Sequence, residues 1–508
     1  MHLSEIAGRT PDKPAVVMSD GSRSTTYTEL DERSRRVAGL LRGHGVRATD
    51  HVALVMDNVP EFLEVAWGAQ RAGALWTPVN WHLTEEEAAY VVGDCGARIL
   101  FASDATGDLA ARIAARTPAL EATYVAGGEP PGTQDYAVAR DAAPAGTGED
   151  EVEGSYFFYS SGTTGTPKGI KPKHAFPPFG TGLTIDHVMG SAFGFGPDSV
   201  YLCPAPLYHA APIGWSLGTQ RHGGTVVLME KFDPLECLRA IEEHRVTHVQ
   251  FVPTHFVRML KLPEEQRRAF DLSSLQVVVH AAAPCPVEVK RQMIDWLGPK
   301  VLEFYAGSEG AGMTVITAAE WLAHPGSVGK AVQGTLHILG EGGAELPPGE
   351  VGQIFFEGGG SFEYYNDPEK TAGAINDRGW VTLGDLGQVD DEGYLYLADR
   401  RTDLIISGGV NLYPAEVEDA LVLHPAVADV AVIGVPDPEM GQSVKAVVQP
   451  APDRQAGPEL AEELLAHCRT VLAGFKCPRS IDFVQELPRL PTGKLLRRRV
   501  RDEHGGAG

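Results

Sequence analysis

The run YSSGTTGTPKG, residues 159–169, holds five aliphatic hydroxyls, three glycines, a proline and a lysine in eleven residues. Ser160, Ser161, Thr163, Thr164 and Thr166 supply hydroxyl donors. Gly162, Gly165 and Gly169 let the backbone turn sharply and aim N–H groups at an anion. Lys168 adds a positive charge. These are the requirements of a loop that cradles polyphosphate. The preceding SYFFYS is strand-like, so the loop hangs from a strand end, where phosphates commonly sit. A Walker loop needs G-x-x-x-x-G-K-[ST]. Counted from Gly162, the second glycine is replaced by Pro167 and the final hydroxyl by Gly169, which excludes that class. A flexible Ser/Thr/Gly linker would not end in Pro-Lys-Gly directly after an aromatic strand.

The loop resembles the phosphate-binding signature of the adenylate-forming superfamily, which includes acyl-CoA synthetases, aryl-CoA ligases, luciferases and peptide-synthetase adenylation domains. Further elements follow in that family's order. EFYAGSEG (303–310) resembles its Y-G-x-T-E element. The resemblance implies Tyr305 near adenine, Ser308 on the α-phosphate and Glu309 holding Mg²⁺, a hard cation that takes oxygen ligands. GWVTLGDLG (379–387) resembles W-x-x-T-G-D, with Leu383 at the usual threonine. Asp385 would accept both ribose hydroxyls, as a carboxylate can. LADRRTDLIISGGVNLYPAEVE (397–418) resembles the interdomain segment. It implies Arg400 on the ribose, Thr402 as the hinge, and Gly408 and Gly409 lining a thiol tunnel. LPRLPTGKLLRR (487–498) resembles the C-terminal signature, whose catalytic lysine falls on Lys494. VVHAAAPCP (278–286) matches a block that implies Ala282, Ala283 and Pro284 beside adenine. His209, His255, Ala281, Gly307 and Met313 are implied for the acyl site.

The implied chemistry has two halves. A carboxylate attacks the α-phosphate of ATP to give an acyl-adenylate and pyrophosphate, and a thiol, usually coenzyme A, then displaces AMP. ATP, Mg²⁺ and coenzyme A are the implied cofactors, and a small-molecule carboxylic acid the partner. The acid is expected to be hydrophobic, because the Gly- and aromatic-rich run 176–196 reads as an apolar wall in which no Asp or Lys stands out to pair an ammonium or a second carboxylate. Thr402 stands where the hinge is commonly aspartate or lysine, and its β-branch narrows the available φ/ψ. The second reading is therefore adenylation alone, with thiolation left to a partner enzyme or carrier protein.

The elements that must position these residues alternate. VALVM, RILFA, ATYV, VYLCPA, GGTVVLM, VTHVQFVP and LQVVVHAAAP are short β-rich runs, with helical stretches such as ELDERSRRVAGLLRGHG between them. That rhythm predicts an α/β fold of layered subdomains. From about residue 350, VGQIFFEG, GYLYLADR and DLIISGG read as strands of a smaller β-rich unit. Beyond about 400, PAEVEDALVLHP and PELAEELLAHCRTVLAG read as helices around a strand pair, a small α+β unit. The expected division is a large N-terminal domain, 1–400, that binds ATP and acid, and a small mobile C-terminal domain, 401–508, that carries the lysine and thiol access.

With 508 residues, 43% hydrophobic and 22% charged, the chain is long enough for at least two domains. Its formal charge of −24 repels phosphate backbones, so nucleic-acid binding is not expected. The six cysteines are scattered without a CxxC, against structural zinc or a disulfide framework. No secretory leader and no membrane span are read, which predicts a cytoplasmic protein. The oligomeric state is not legible.

Overall fold

The computed structural model describes residues 2–146, 148, 151–160, 167–172, 174–360, 362–400, 403–407, 410–489 and 495–505. The chain divides into two compact units. One comprises Met1–Gln250, Glu265–Val278 and Ser361–Gly373; the other comprises Phe251–Glu264, Val279–Gly360 and Ala374–Gly508.

The first unit is parallel α/β. One sheet runs in the order Gln134–Asp135, Ala122–Ala126, Ala97–Ser103, His51–Val55, Leu75–Pro78, Ser155–Tyr156, with every pairing parallel. Both faces of such a sheet are covered by crossover helices, so its strands read as unbroken apolar runs. Ala53, Val55, Leu100, Ala102 and Val125 are indeed buried in one cluster. Helix Tyr27–Gly43 begins where Thr26 and Glu29 form a reciprocal capping box, and helix Pro60–Arg71 begins with proline in its first turn. A second parallel set pairs His248–Phe251, Val200–Cys203, Thr225–Leu228 and Pro14–Met18.

Met189 and Phe193, on helix Thr184–Phe193, are buried, and Met189 lies against Gly218 of the helix Ala210–Arg221. Asp186, 2% exposed, is ion-paired to Arg221, which also binds the fully buried Glu153. The Arg221 guanidinium covers the Trp67 ring at 4.7 Å. A buried cation without its carboxylates is costly, so these charges pair with one another and Asp186 is committed to the core.

The second unit is mainly antiparallel. Strands Val301–Ala306, Met313–Thr317, Ser327–Gln333, Leu395–Arg400, Asp385–Val389, Gly352–Glu357 and Thr335–Leu339 are neighbours in that order. Ile405–Ser407, expected among them, instead pairs with Val410–Leu412 and meets Gly441 of the strand Gly441–Pro450. Its edge hydrogen bonds are satisfied there, which assigns DLIISGG to the C-terminal sheet. That sheet is completed by Val427–Asp437 and by Ser480–Phe483, parallel to Gly441–Pro450. Helices Pro414–Val422 and Pro458–Val471 open on prolines, as their sequences predict. Leu487 and Val500 close onto Ala431, Ile433 and Val447 in a separate small core. No helix among the described residues is long and apolar enough to cross a membrane.

Candidate active site

In the first unit the two ends of the phosphate-loop motif are paired strands. Phe158–Ser160 pairs antiparallel with Lys168–Pro172, and the register sets Ser160 opposite Lys168. Gly169 is required by packing: a Cβ there would lie 2.7 Å from the Phe157 ring. Lys168–Pro172 is flanked on its other edge by Phe362–Tyr364. This third strand carries the chain to Asp367, whose Oδ2 lies 3.1 Å from Lys168 Nζ. Ser161, Gly162, Thr163, Thr164 and Gly165 lie outside the described residues. His209 precedes helix Ala210–Arg221 as its N-cap.

In the second unit the hairpin Val301–Ala306/Met313–Thr317 holds the next group. Ala306 pairs with Met313 and Tyr305 with Thr314, so Gly307–Gly312 form the connecting loop. Gly310 turns it with φ +68° and its N–H bonds Gly307 O at 3.0 Å, while its carbonyl accepts Gly360 N–H at 2.8 Å. A Cβ on Gly307 would lie 2.7 Å from Glu309 Oε2 and 2.6 Å from Leu383 Cδ2, so the Glu309 carboxylate and the Leu383 methyls fold over the bare Cα of Gly307. Ser308 is exposed and Glu309 half-buried. Met313 is buried where the second strand begins.

Tyr305 Oη donates a 2.7 Å hydrogen bond to Asp385 Oδ2. The Tyr305 ring stacks on Phe356 with centroids 6.3 Å apart. Asp385 begins the strand Asp385–Val389 and is register partner to Arg400 of Leu395–Arg400. The motifs place these three in separate elements; Asp385 stands opposite the Arg400 backbone on the neighbouring strand, and the Tyr305 hydroxyl reaches Asp385 from a strand that is not its neighbour. Glu309 reaches the same neighbourhood through Leu383, two residues before Asp385, at Gly307.

Ala281 is buried and follows the strand Val277–His280. Ala282 adopts φ +77°, a left-handed conformation rare for a residue with a Cβ. Backbone strain of this kind collects at binding sites. Ala283 and Pro284 continue that turn. His255, in the first turn of helix Pro253–Leu260, is 4% exposed; burial first, and Arg258 second, lower its pKa to about 3. Its ring is neutral and offers no cation to a carboxylate. Lys494, Thr402, Gly408 and Gly409 lie outside the described residues. Arg489, just upstream of that lysine, grips Asp429 with Nε at 2.5 Å and Nη2 at 2.8 Å.

Sequence reasoning missed Asp367. Nothing in its local spacing marks it, because its link to Lys168 runs through strand pairing across the chain.

Residues 3–366 match the family model described as AMP-binding enzyme, and residues 416–494 the model of the AMP-binding enzyme C-terminal domain. The chain is similar to a feruloyl-CoA synthase of an Amycolatopsis species, 37% identical over 97% of this chain and 96% of that protein. It is also similar to the long-chain-fatty-acid–CoA ligase FadD13 of Mycobacterium tuberculosis, 30% identical over 99% and 97%. Among solved structures, the anthranilate CoA ligase AuaEII in complex with anthranoyl-AMP superposes with a TM-score of 0.85, at 26% identity over 99% and 97% of the two chains.

Proposed function

The chain belongs to the AMP-binding enzyme family, and from that premise we propose that it converts a hydrophobic aryl acid to its coenzyme A thioester. The protein is an AMP-forming acid–thiol ligase that uses ATP, Mg²⁺ and coenzyme A. The observation that carries the site is the Tyr305–Asp385 hydrogen bond, made beside the loop that folds Glu309 over Gly307. An acceptor of two hydroxyls, an aromatic face and a metal-ready carboxylate are thereby held on one sheet.

The residues divide the work as follows. Asp385 accepts the ribose hydroxyls, with its orientation held by Tyr305 and with Arg400 across the strand pair. Ser160, Ser161, Gly162, Thr163, Thr164, Gly165 and Lys168 surround the β- and γ-phosphates, and Ser308 the α-phosphate. Ala282, Ala283 and Pro284 border adenine. Glu309 fits Mg²⁺: its carboxylate is half-buried, supplies hard oxygen, and lies over the bare Cα of Gly307. Bound there, Mg²⁺ offsets phosphate charge. Lys494 offsets the charge that develops as a carboxylate oxygen bonds to the α-phosphorus and the bond to pyrophosphate breaks. The thiol sulfur then bonds to the acyl carbon as the bond to AMP breaks. No side chain serves as nucleophile, because AMP is the leaving group.

His209, His255, Ala281, Gly307 and Met313 line the acyl side. The neutral His255 ring offers no cation to a second carboxylate, which supports an uncharged acyl group. The feruloyl-CoA synthase relative favours an aryl acid. The division into 1–400 and 401–508, pivoting at Thr402 with Gly408 and Gly409 along the thiol path, is supported by the separate matches at 3–366 and 416–494.

The test incubates the protein with ATP and Mg²⁺ and a panel of ferulate, other aryl acids and fatty acids, with and without coenzyme A. Acyl-AMP and acyl-CoA are followed by mass spectrometry. Aryl-CoA formation is expected, and Lys494→Ala should suppress adenylation. A preference for long-chain acids would overturn the substrate class. Acyl-AMP that accumulates despite coenzyme A would overturn the thioester step.

A further inference from the structure

We propose that Asp367 is a built-in competitor for Lys168, a carboxylate that occupies the lysine when polyphosphate is absent and hastens pyrophosphate departure. The inference rests on the reading of Lys168 as a β/γ-phosphate ligand. Asp367 is held at both oxygens. Oδ1 accepts the backbone N–H of Lys370 at 3.0 Å, capping the turn Pro368–Gly373, and Oδ2 lies 3.1 Å from Lys168 Nζ. The backbone is fixed as well: Asp367 N–H bonds Tyr364 O at 3.1 Å, and Tyr365 N–H bonds Gly169 O at 2.8 Å, one residue past the lysine. The acid therefore cannot withdraw when Lys168 turns to another anion. Lys168 also feels Tyr90 and Asp94, and Asp94 accepts the Tyr159 hydroxyl at 2.6 Å at the other end of the motif. The hydrogen bond to Asp367 raises the Lys168 pKa, while the Lys370 N–H and Lys168 hold Asp367 below its ordinary value. Both stay charged through the working pH range.

A phosphate that engages Lys168 must share it with, or take it from, this carboxylate, and must tolerate a negative charge fixed beside it. At the half-exposed positions of this pair the interaction is screened, so the effect is modest. ATP retains its adenosine contacts, whereas pyrophosphate has none, so the competitor acts most strongly on the product.

Asp367→Asn keeps the cap, since asparagine caps as well as aspartate, and removes the charge. The expected result is a pyrophosphate inhibition constant about fivefold lower than wild type, with an unchanged thermal midpoint. Lys168→Met should raise that constant, and Asp367→Asn added to Lys168→Met should then lower it by clearly less than the fivefold it does in the wild type. Inhibition unchanged or weakened in folded Asp367→Asn, with Lys168→Met still impaired, would overturn the competitor. Normal pyrophosphate inhibition in Lys168→Met would instead overturn the phosphate reading on which it rests.

Discussion

Replacing Gly307 by alanine tests whether the loop really holds Glu309 for a metal. The new Cβ would stand 2.7 Å from Glu309 Oε2, and 2.6 and 2.9 Å from the two Leu383 methyls. Ordinary contact begins at 3.4 Å, so the carboxylate must shift by about 0.7 Å and the leucine methyls must move as well. Leucine tips rotate cheaply, but the Glu309 oxygen is itself the proposed ligand. A displacement near 1 Å at a reacting centre costs up to about 10²-fold, so roughly tenfold is expected here. The assay is pyrophosphate release at saturating acid and ATP, titrated with Mg²⁺. Gly307→Ala should need about ten times more Mg²⁺ for half-maximal rate while keeping its thermal midpoint. Leu383→Ala added to it removes the methyl clash but leaves the carboxylate clash, so the Mg²⁺ requirement should stay high. Recovery in the double variant, or a normal Mg²⁺ titration in Gly307→Ala, would refute the role given to Glu309.

The remaining predictions address the frame around that loop. Tyr305→Phe removes a 2.7 Å hydrogen bond to a carboxylate; such bonds contribute about 1.5–3 kcal/mol when buried, and this half-exposed pair falls at the low end. An approximately tenfold lower kcat/KM for ATP is expected, and an unchanged value would remove Tyr305 as the residue that orients Asp385. Arg221→Met strands Glu153 and Asp186 in the core, a loss of about 3–5 kcal/mol that should appear as a clear fall in thermal midpoint. Arg9→Ala, which breaks only the exposed pair with Glu5, should leave that midpoint nearly untouched. The rings of His51, His248 and His255, the first partly and the other two fully buried, have pKa values lowered by burial to about 4, 4 and 3. The unfolded chain therefore binds more protons below about pH 6.5, so stability is full above that pH and falls as pH drops toward 4. Each ring removes up to about 1.4 kcal/mol per pH unit. Denaturation midpoints measured from pH 7.5 to 5 should show this slope, and His248→Gln should flatten it; a pH-independent midpoint would contradict neutral burial.

Much of this protein is decided within short windows. YSSGTTGTPKG states its chemistry through residue types alone, because hydroxyls, glycines and a lysine in one turn suit an anion whatever surrounds them. The parallel strands are legible because both faces are buried, and helices Pro414–Val422 and Pro458–Val471 because proline opens each. Other features depend on chain segments that meet only after folding. Asp385 finds Tyr305 from 80 residues away, and Asp367 meets Lys168 only because Phe362–Tyr364 pairs beside Lys168–Pro172. Strand register has a period of two and no local signature of its partner, so no window of sequence contains these pairs. The same holds for DLIISGG, whose strand character is local but whose sheet is not. It holds too for Ala282, where a left-handed backbone is imposed on a residue that would not choose it. The kind of chemistry is written in residue type and spacing; which carboxylate faces which partner is set by register and burial in the folded sheet.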